Sequence, residues 1–213
     1  MSKMKKKPEQ VAIIGDLVHS RGSSRIDLHE KLKAALAELP ADAIEAFAPT
    51  VGDEIQGVFA DLPSAIRSMH LLRLTMLAHG SDIRFGIGTG EITHVGDGIQ
   101  DGSAWWHARE AIETVDELAS KPGWAGVRTG LVDDDEARAT LPTIHLIDAA
   151  LTKLKPGACA TLLGILRGET NCETAKRLGI SDSANSQRTK SNDLRPLAAA
   201  MLALWPSGHD DGE

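Results

Sequence analysis

The sequence predicts an α+β protein, an antiparallel sheet covered by helices and followed by a small all-α unit at the C-terminus. Three observations carry this expectation. Short apolar runs of strand length alternate with helical periodicities as far as about Leu131, and the strand signal stops from Leu141 onward. The stretch from Asn171 to Lys190 has the small residue, the turn glycine and the polar second helix of a helix-turn-helix. A chain of 213 residues with 42% hydrophobic content holds one domain of ordinary size and an appendage, read as 8–140 and 141–206, with the helix-turn-helix at about 171–192. The boundary is placed near Leu141 to Pro156.

The run from Gln10 to Asp16 is apolar and closed by a carboxylate, as in a buried central strand that delivers a functional residue at its edge. After a polar loop with Arg21 and Gly22, Asp27 can cap a helix carried by Leu28, Leu32, Ala35 and Leu36, which Pro40 ends. Phe47 to Val51 and Glu54 to Ala60 form a hairpin around Gly52-Asp53, leaving Asp53 and Glu54 at its tip. A second helix runs from Leu62 to Ala78, with Pro63 in its first turn. Ile83 to Ile92 reads as a strand whose glycines mark a bulge or close approach by a ligand or another backbone. Val95 to Gly102 reads as a glycine-rich turn, Ser103 to Leu118 as a third helix, and about Gly126 to Leu131 as a further strand. The acidic run Asp133 to Glu136 reads as a solvated helix start rather than a metal site, since carboxylates favour the positive end of a helix. Thr143 to Leu154 and Ala158 to Leu166 are apolar helical stretches parted by Pro156-Gly157.

A formal charge of −7 excludes a surface that wraps nucleic acid throughout, while permitting a local basic face. Cys159 and Cys172 lack any zinc spacing and read as buried free thiols. Met1 to Lys7 is basic, but the apolar run after it is too short for a signal peptide or a membrane span, so the expected location is the cytoplasm, with no membrane partner.

The chemistry is expected where two carboxylates from distant stretches meet. Asp16 and Asp53, at the edges of adjacent strands, can share hard divalent cations, because Mg²⁺ or Mn²⁺ is satisfied by one or two carboxylates completed by substrate phosphates and water. The backbone amides from Leu17 to Ser20, with Ser20 and Arg21, lie where a triphosphate could be cradled. A strand ending in Gly-Asp is also a common loop cap, so Asp16 alone decides little.

Order and spacing decide more. Ile14-Gly-Asp-Leu-Val-His-Ser-Arg21, Thr50-Val-Gly-Asp-Glu-Ile-Gln-Gly-Val-Phe59, and Ile83-Arg-Phe-Gly-Ile-Gly-Thr-Gly-Glu-Ile92 with Ala108-Arg109 together resemble the class III adenylyl and guanylyl cyclases. The similarity covers about residues 10 to 128, and with the tail it is closer still to the bacterial SatD family. The resemblance implies a ferredoxin-like, palm-type sheet, Asp16 and Asp53 as metal ligands, Leu17, Ser20 and Arg21 at the phosphates of a nucleoside triphosphate, and Arg109 stabilising a transition state. Two positions depart from the pattern. Trp105 stands where cyclases keep an asparagine that orients the ribose, and an indole cannot accept that hydrogen bond. Ala48, Pro49 and Thr50 occupy the stretch where cyclases keep a base-reading lysine. An alternative for Arg109 is a surface arginine paired with Glu110 or Glu113.

In the tail, Ala175 and Gly179 sit where two helices cross and turn, and Ser183, Ser186, Gln187, Arg188 and Lys190 are expected to face the groove or the phosphates of DNA. Asn185 and Thr189 stand where such units commonly carry an aliphatic residue. The expectation is a nucleotide- or metal-responsive DNA-binding regulator, acting as a homodimer; the alternative is a nucleotidyl cyclase or a nucleotide-signal synthase.

Overall fold

The computed structural model describes residues 9–18, 25–50, 52–96, 99–132 and 137–206. Strands β1 (Gln10–Val18), β2 (Glu45–Pro49), β3 (Glu54–Phe59), β4 (Asp82–Gly90) and β7 (Thr129–Val132) form one sheet in the order β2-β3-β1-β4-β7. β1, buried at the centre, pairs antiparallel with β3 and β4. Its side chains alternate between two apolar clusters. Val11, Ile13 and Leu17 enter one, and Ala12 and Ile14 the other, which is why its apolar run is nearly unbroken.

The expected antiparallel sheet is corrected to a mixed one, because β7 runs parallel to β4. Helix α3 (Ser103–Ala119) is the crossover that returns the chain to the same end, as a parallel pair requires. A second correction concerns the stretch read as a turn, which holds the two-stranded hairpin β5 (Thr93–Gly96) and β6 (Ile99–Asp101). With strands of four and three residues and Val95 and Ile99 exposed, it has neither the length nor the burial that makes a strand visible in a sequence.

The glycines of β4 serve another backbone. A Cβ at Gly86 would lie 2.2 Å from the Ala108 carbonyl oxygen, and one at Gly88 would lie 2.3 Å from that of Ala104, so α3 rests directly on the strand. Ala104, Ala108 and Ile112 close this side over Ala12, Ile14 and Val58.

Helices α1 (Arg25–Ala37) and α2 (Leu62–Ala78) cover the opposite face. The Asp61 carboxylate accepts from the Ser64 amide at 2.8 Å and Pro63 occupies the first turn, which fixes the start of α2. One side of α2 sends Ile66, Met69, Leu72 and Met76 to the sheet. Leu74 joins instead the helices that follow, α4 (Ala137–Lys153), α5 (Pro156–Leu166) and α8 (Leu194–Leu202), through Ile147, Leu151, Cys159, Leu162, Leu194 and Met201. Arg73, fully buried on α2, donates to Asp82 at 3.0 Å, to Asp148 and to Thr152 at 2.7 Å, while Arg128 joins through Asp82 at 2.8 Å. Cys159 is buried as expected, but Cys172 is exposed, because it falls on the outer side of the short helix α6 (Asn171–Leu178). No helix among the described residues is long and apolar enough to cross a membrane.

Candidate functional site

Antiparallel register brings Asp16 opposite Glu54, not opposite Asp53. Residues paired in this way share a face, here the one that Ala12, Ile14 and Val58 turn toward α3. Asp53 lies in the turn just before β3, where its carbonyl accepts from the Leu17 amide at 3.4 Å. The backbones of the expected pair are thus neighbours, and the carboxylate in register with Asp16 is that of Glu54. Leu17 itself is buried, while Ser20 and Arg21, expected at the phosphates, and the acidic run 133–136 lie outside the described residues.

Arg109 reaches the same edge from α3. Its guanidinium donates to both carboxylate oxygens of Glu54, at 2.8 and 3.1 Å, a two-pronged contact that spans helix and sheet. The hydrogen bond to Glu54 holds the guanidinium above its ordinary range, with Glu113 and Asp16 adding to the effect. The partner is therefore a strand carboxylate rather than Glu110 or Glu113. Gln56 also donates to Glu54, at 3.0 Å, and Thr50 closes the hairpin by donating to the Glu54 backbone. Sequence reasoning put Glu54 at the hairpin tip without assigning it a role, since only strand register singles it out.

Beside this edge a cleft of about 700 Å³ opens between the outer surface of β2 and β3 and the first half of α3. Glu45, Ala48, Gln56, Gln100, Trp105 and Glu113 are among its walls. Gln100, on β6, donates to Glu45 and accepts from the Trp105 indole at 3.2 Å, tying the small hairpin to β2 and α3. Trp106 is exposed, with its N–H on Asp101 at 3.0 Å.

At the other end of the chain, α6 and α7 (Asp182–Ser191) are joined through Gly179, whose φ of 64° is the left-handed turn that glycine takes without strain. A capping box from Thr170 and Glu173 starts α6, and Ser181 caps α7 by accepting from Ala184. Ala175 is buried at the crossing. Asn185, where an aliphatic residue is usual, is also buried, and its polar atoms are matched: it accepts from Thr161 at 2.8 Å and donates to Asn171 at 3.0 Å. The five groove-facing expectations divide. Ser183, Gln187 and Lys190 are exposed at spacings of four and three, one outer stripe of the helix. Ser186 donates to Asn171 at 3.2 Å, and Arg188 is turned back toward the Gly157 carbonyl at 3.4 Å.

No curated protein matches the chain. Among solved structures it is similar to a regulator of polyketide synthase expression from Bifidobacterium adolescentis, at 14% identity over 92% of this chain and 84% of that one, with a TM-score of 0.29. A model of the SatD family matches residues 10–197, from the start of β1 into the first turn of α8, and the chain belongs to the SatD family.

Proposed function

We propose that the chain is a nucleotide- or metal-responsive DNA-binding regulator, binding nucleotide phosphates with Mg²⁺ or Mn²⁺ at the Asp16 edge and DNA through α7. The observation that carries this reading is the meeting of Asp16, Glu54 and Arg109 at one sheet edge beside an open cleft. Two carboxylates directly opposite on one face repel unless a cation compensates them, and Arg109 supplies one such charge.

Among the described residues no three acidic, histidine or cysteine side chains group to hold a metal alone. That suits an ion which takes one or two carboxylates and draws its remaining ligands from phosphate and water. Asp16 would hold it, together with Asp53 or Glu54, and the ion would neutralise phosphate charge. Exposed Ser183, Gln187 and Lys190 support contact with a nucleic acid surface, Lys190 as a phosphate partner.

Calorimetry of nucleoside triphosphate binding, with and without Mg²⁺, tests the reading. Wild type should bind only with the ion, and Asp16→Ala should lose binding at least tenfold, about 1.4 kcal/mol. Equal binding without Mg²⁺ or in Asp16→Ala rejects the site. Comparing Asp53→Asn with Glu54→Gln shows which second carboxylate serves. A catalytic cyclase is a second reading, favoured by Arg109 standing at the carboxylate edge. Turnover of a triphosphate, abolished by Asp53→Asn, would replace the regulator with the enzyme.

A further inference from the structure

We propose that DNA is held on the flank of α7 that faces α5, where Arg188 and Lys155 take phosphates of one strand while the outer stripe of α7 meets the groove, an inference that rests on the DNA reading above. Charge distribution points to this part of the chain. Residues 153–206 carry eight Lys and Arg against four Asp and Glu, a net charge of +4 in a chain whose total is −7. A cationic surface on an otherwise acidic protein fits a polyanionic partner, because each phosphate neutralised by Lys or Arg releases bound counterions.

Position around α7 divides that charge between two flanks. Ser183 and Gln187 lie on the outer stripe, with Asp182 one residue before the first and Arg188 one residue after the second. At about 100° per residue, Asp182 and Arg188 therefore stand on opposite sides of the stripe. The Asp182 side faces the start of α6, where Asn171 donates to the Asp182 carbonyl at 3.0 Å and accepts from Ser186 at 3.2 Å. Two of the amides there are already spent: the Glu173 carboxylate accepts from the Thr170 amide at 2.8 Å, and the Thr170 hydroxyl accepts from the Glu173 amide at 3.2 Å. With Asp182 and Glu173 both exposed, that flank repels a phosphate.

The Arg188 side faces the first turn of α5 and has the opposite character. Lys155, directly before α5, and Lys153, at the end of α4, are both exposed. Arg167 and Arg177, elsewhere in the tail, are held by Glu38 at 2.7 Å and by Glu169 at 2.9 Å. Arg188 has no carboxylate partner among the described residues. Its guanidinium lies against Gly157, where a Cβ would come within 3.0 Å of the central carbon, and makes one hydrogen bond of 3.4 Å to the Gly157 carbonyl. Gly157 is two residues beyond Lys155, so the two cations border the same turn. Turning Arg188 outward exchanges one long hydrogen bond to a neutral carbonyl for a charge-assisted one to phosphate.

The test measures binding of a random-sequence DNA duplex to the full chain by fluorescence anisotropy across a series of NaCl concentrations. Log affinity of wild type should fall linearly with log salt, and Lys155→Gln and Arg188→Gln should each flatten the slope by about 0.9, the value of one phosphate contact. Lys33→Gln, the same change of charge on α1, should leave the slope as in wild type, and an equal flattening there overturns the flank assignment. Arg188→Lys keeps the charge and should keep the slope. A slope as flat as that of Arg188→Gln would make Arg188 a packing residue and remove it from the contact. Slopes unchanged in both Lys155→Gln and Arg188→Gln overturn the flank assignment while leaving the DNA reading intact. Absence of binding by wild type at the lowest salt overturns both.

Discussion

His70 shows how one buried side chain sets a pH dependence. Burial, reinforced by the nearby Arg73 charge, lowers its pKa from 6.5 to about 3. The imidazole is therefore neutral in the fold, in keeping with Nδ1 accepting the Trp205 indole N–H at 3.1 Å. The unfolded chain takes up a proton below about pH 6.5 while the folded chain does not, so this contribution to stability is complete above that pH and is lost as pH falls toward 3. His70→Gln keeps an acceptor for Trp205 without titrating. Denaturant unfolding at pH 7.5 and 5.0 should show wild type losing about 2 kcal/mol relative to the variant, all of it below about pH 6.5 at about 1.4 kcal/mol per pH unit. Parallel losses in both proteins would remove His70 from the account. At this scale the sequence revealed residues whose neighbours in the chain announce them, as Gly15-Asp16 and Ala108-Arg109 do. Glu54 and Asn185 became legible only in three dimensions, because strand register assigns the first and helix packing buries the second.

At the scale of elements, α2 and α3 were readable from periodicity because each has a long apolar stripe, and α2 also has a marked start in Asp61 and Pro63. The β5–β6 hairpin and the parallel placement of β7 were not, since strand direction depends on how a crossover packs and not on the residues of the strand. The β4 glycines leave three readings open in the sequence, a bulge, a ligand or another backbone; the structure sets the backbone of α3 against Gly86 and Gly88. Gly88→Ala follows directly. Its methyl group would fall 2.3 Å from the Ala104 carbonyl oxygen, a backbone atom that cannot rotate away. The helix must lift, at a cost of about 1–3 kcal/mol, and Arg109 moves with it. Thermal unfolding should show the lowered stability, and, if the proposed nucleotide site is right, nucleotide affinity should fall in the same variant. Stability equal to wild type would mean that α3 is less tightly seated than the geometry requires.

Across the whole molecule, the sequence placed a boundary near 141–156, and the helix over that stretch belongs to both sides. Ile144 of α4 packs with the sheet cluster, whereas Ile147 and Leu151 pack with the later helices. Trp205 and Leu204 border both clusters. The Arg73 network lies at this joint, where α2, β4, the segment before β7 and α4 meet through Asp82, Arg128, Asp148 and Thr152. Removing Arg73 would leave the fully buried Asp148 without its ionic partner, and breaking one side of such a pair costs about 3–5 kcal/mol. Because the network touches elements of both clusters, Arg73→Ala should shift a single unfolding transition, with far-UV circular dichroism and tryptophan fluorescence moving together. Two separated transitions would instead mean that sheet and tail fold independently despite the shared helix. Arg73→Met combined with Asp148→Leu should regain part of the loss, since an apolar pair in that space leaves no buried charge unmatched.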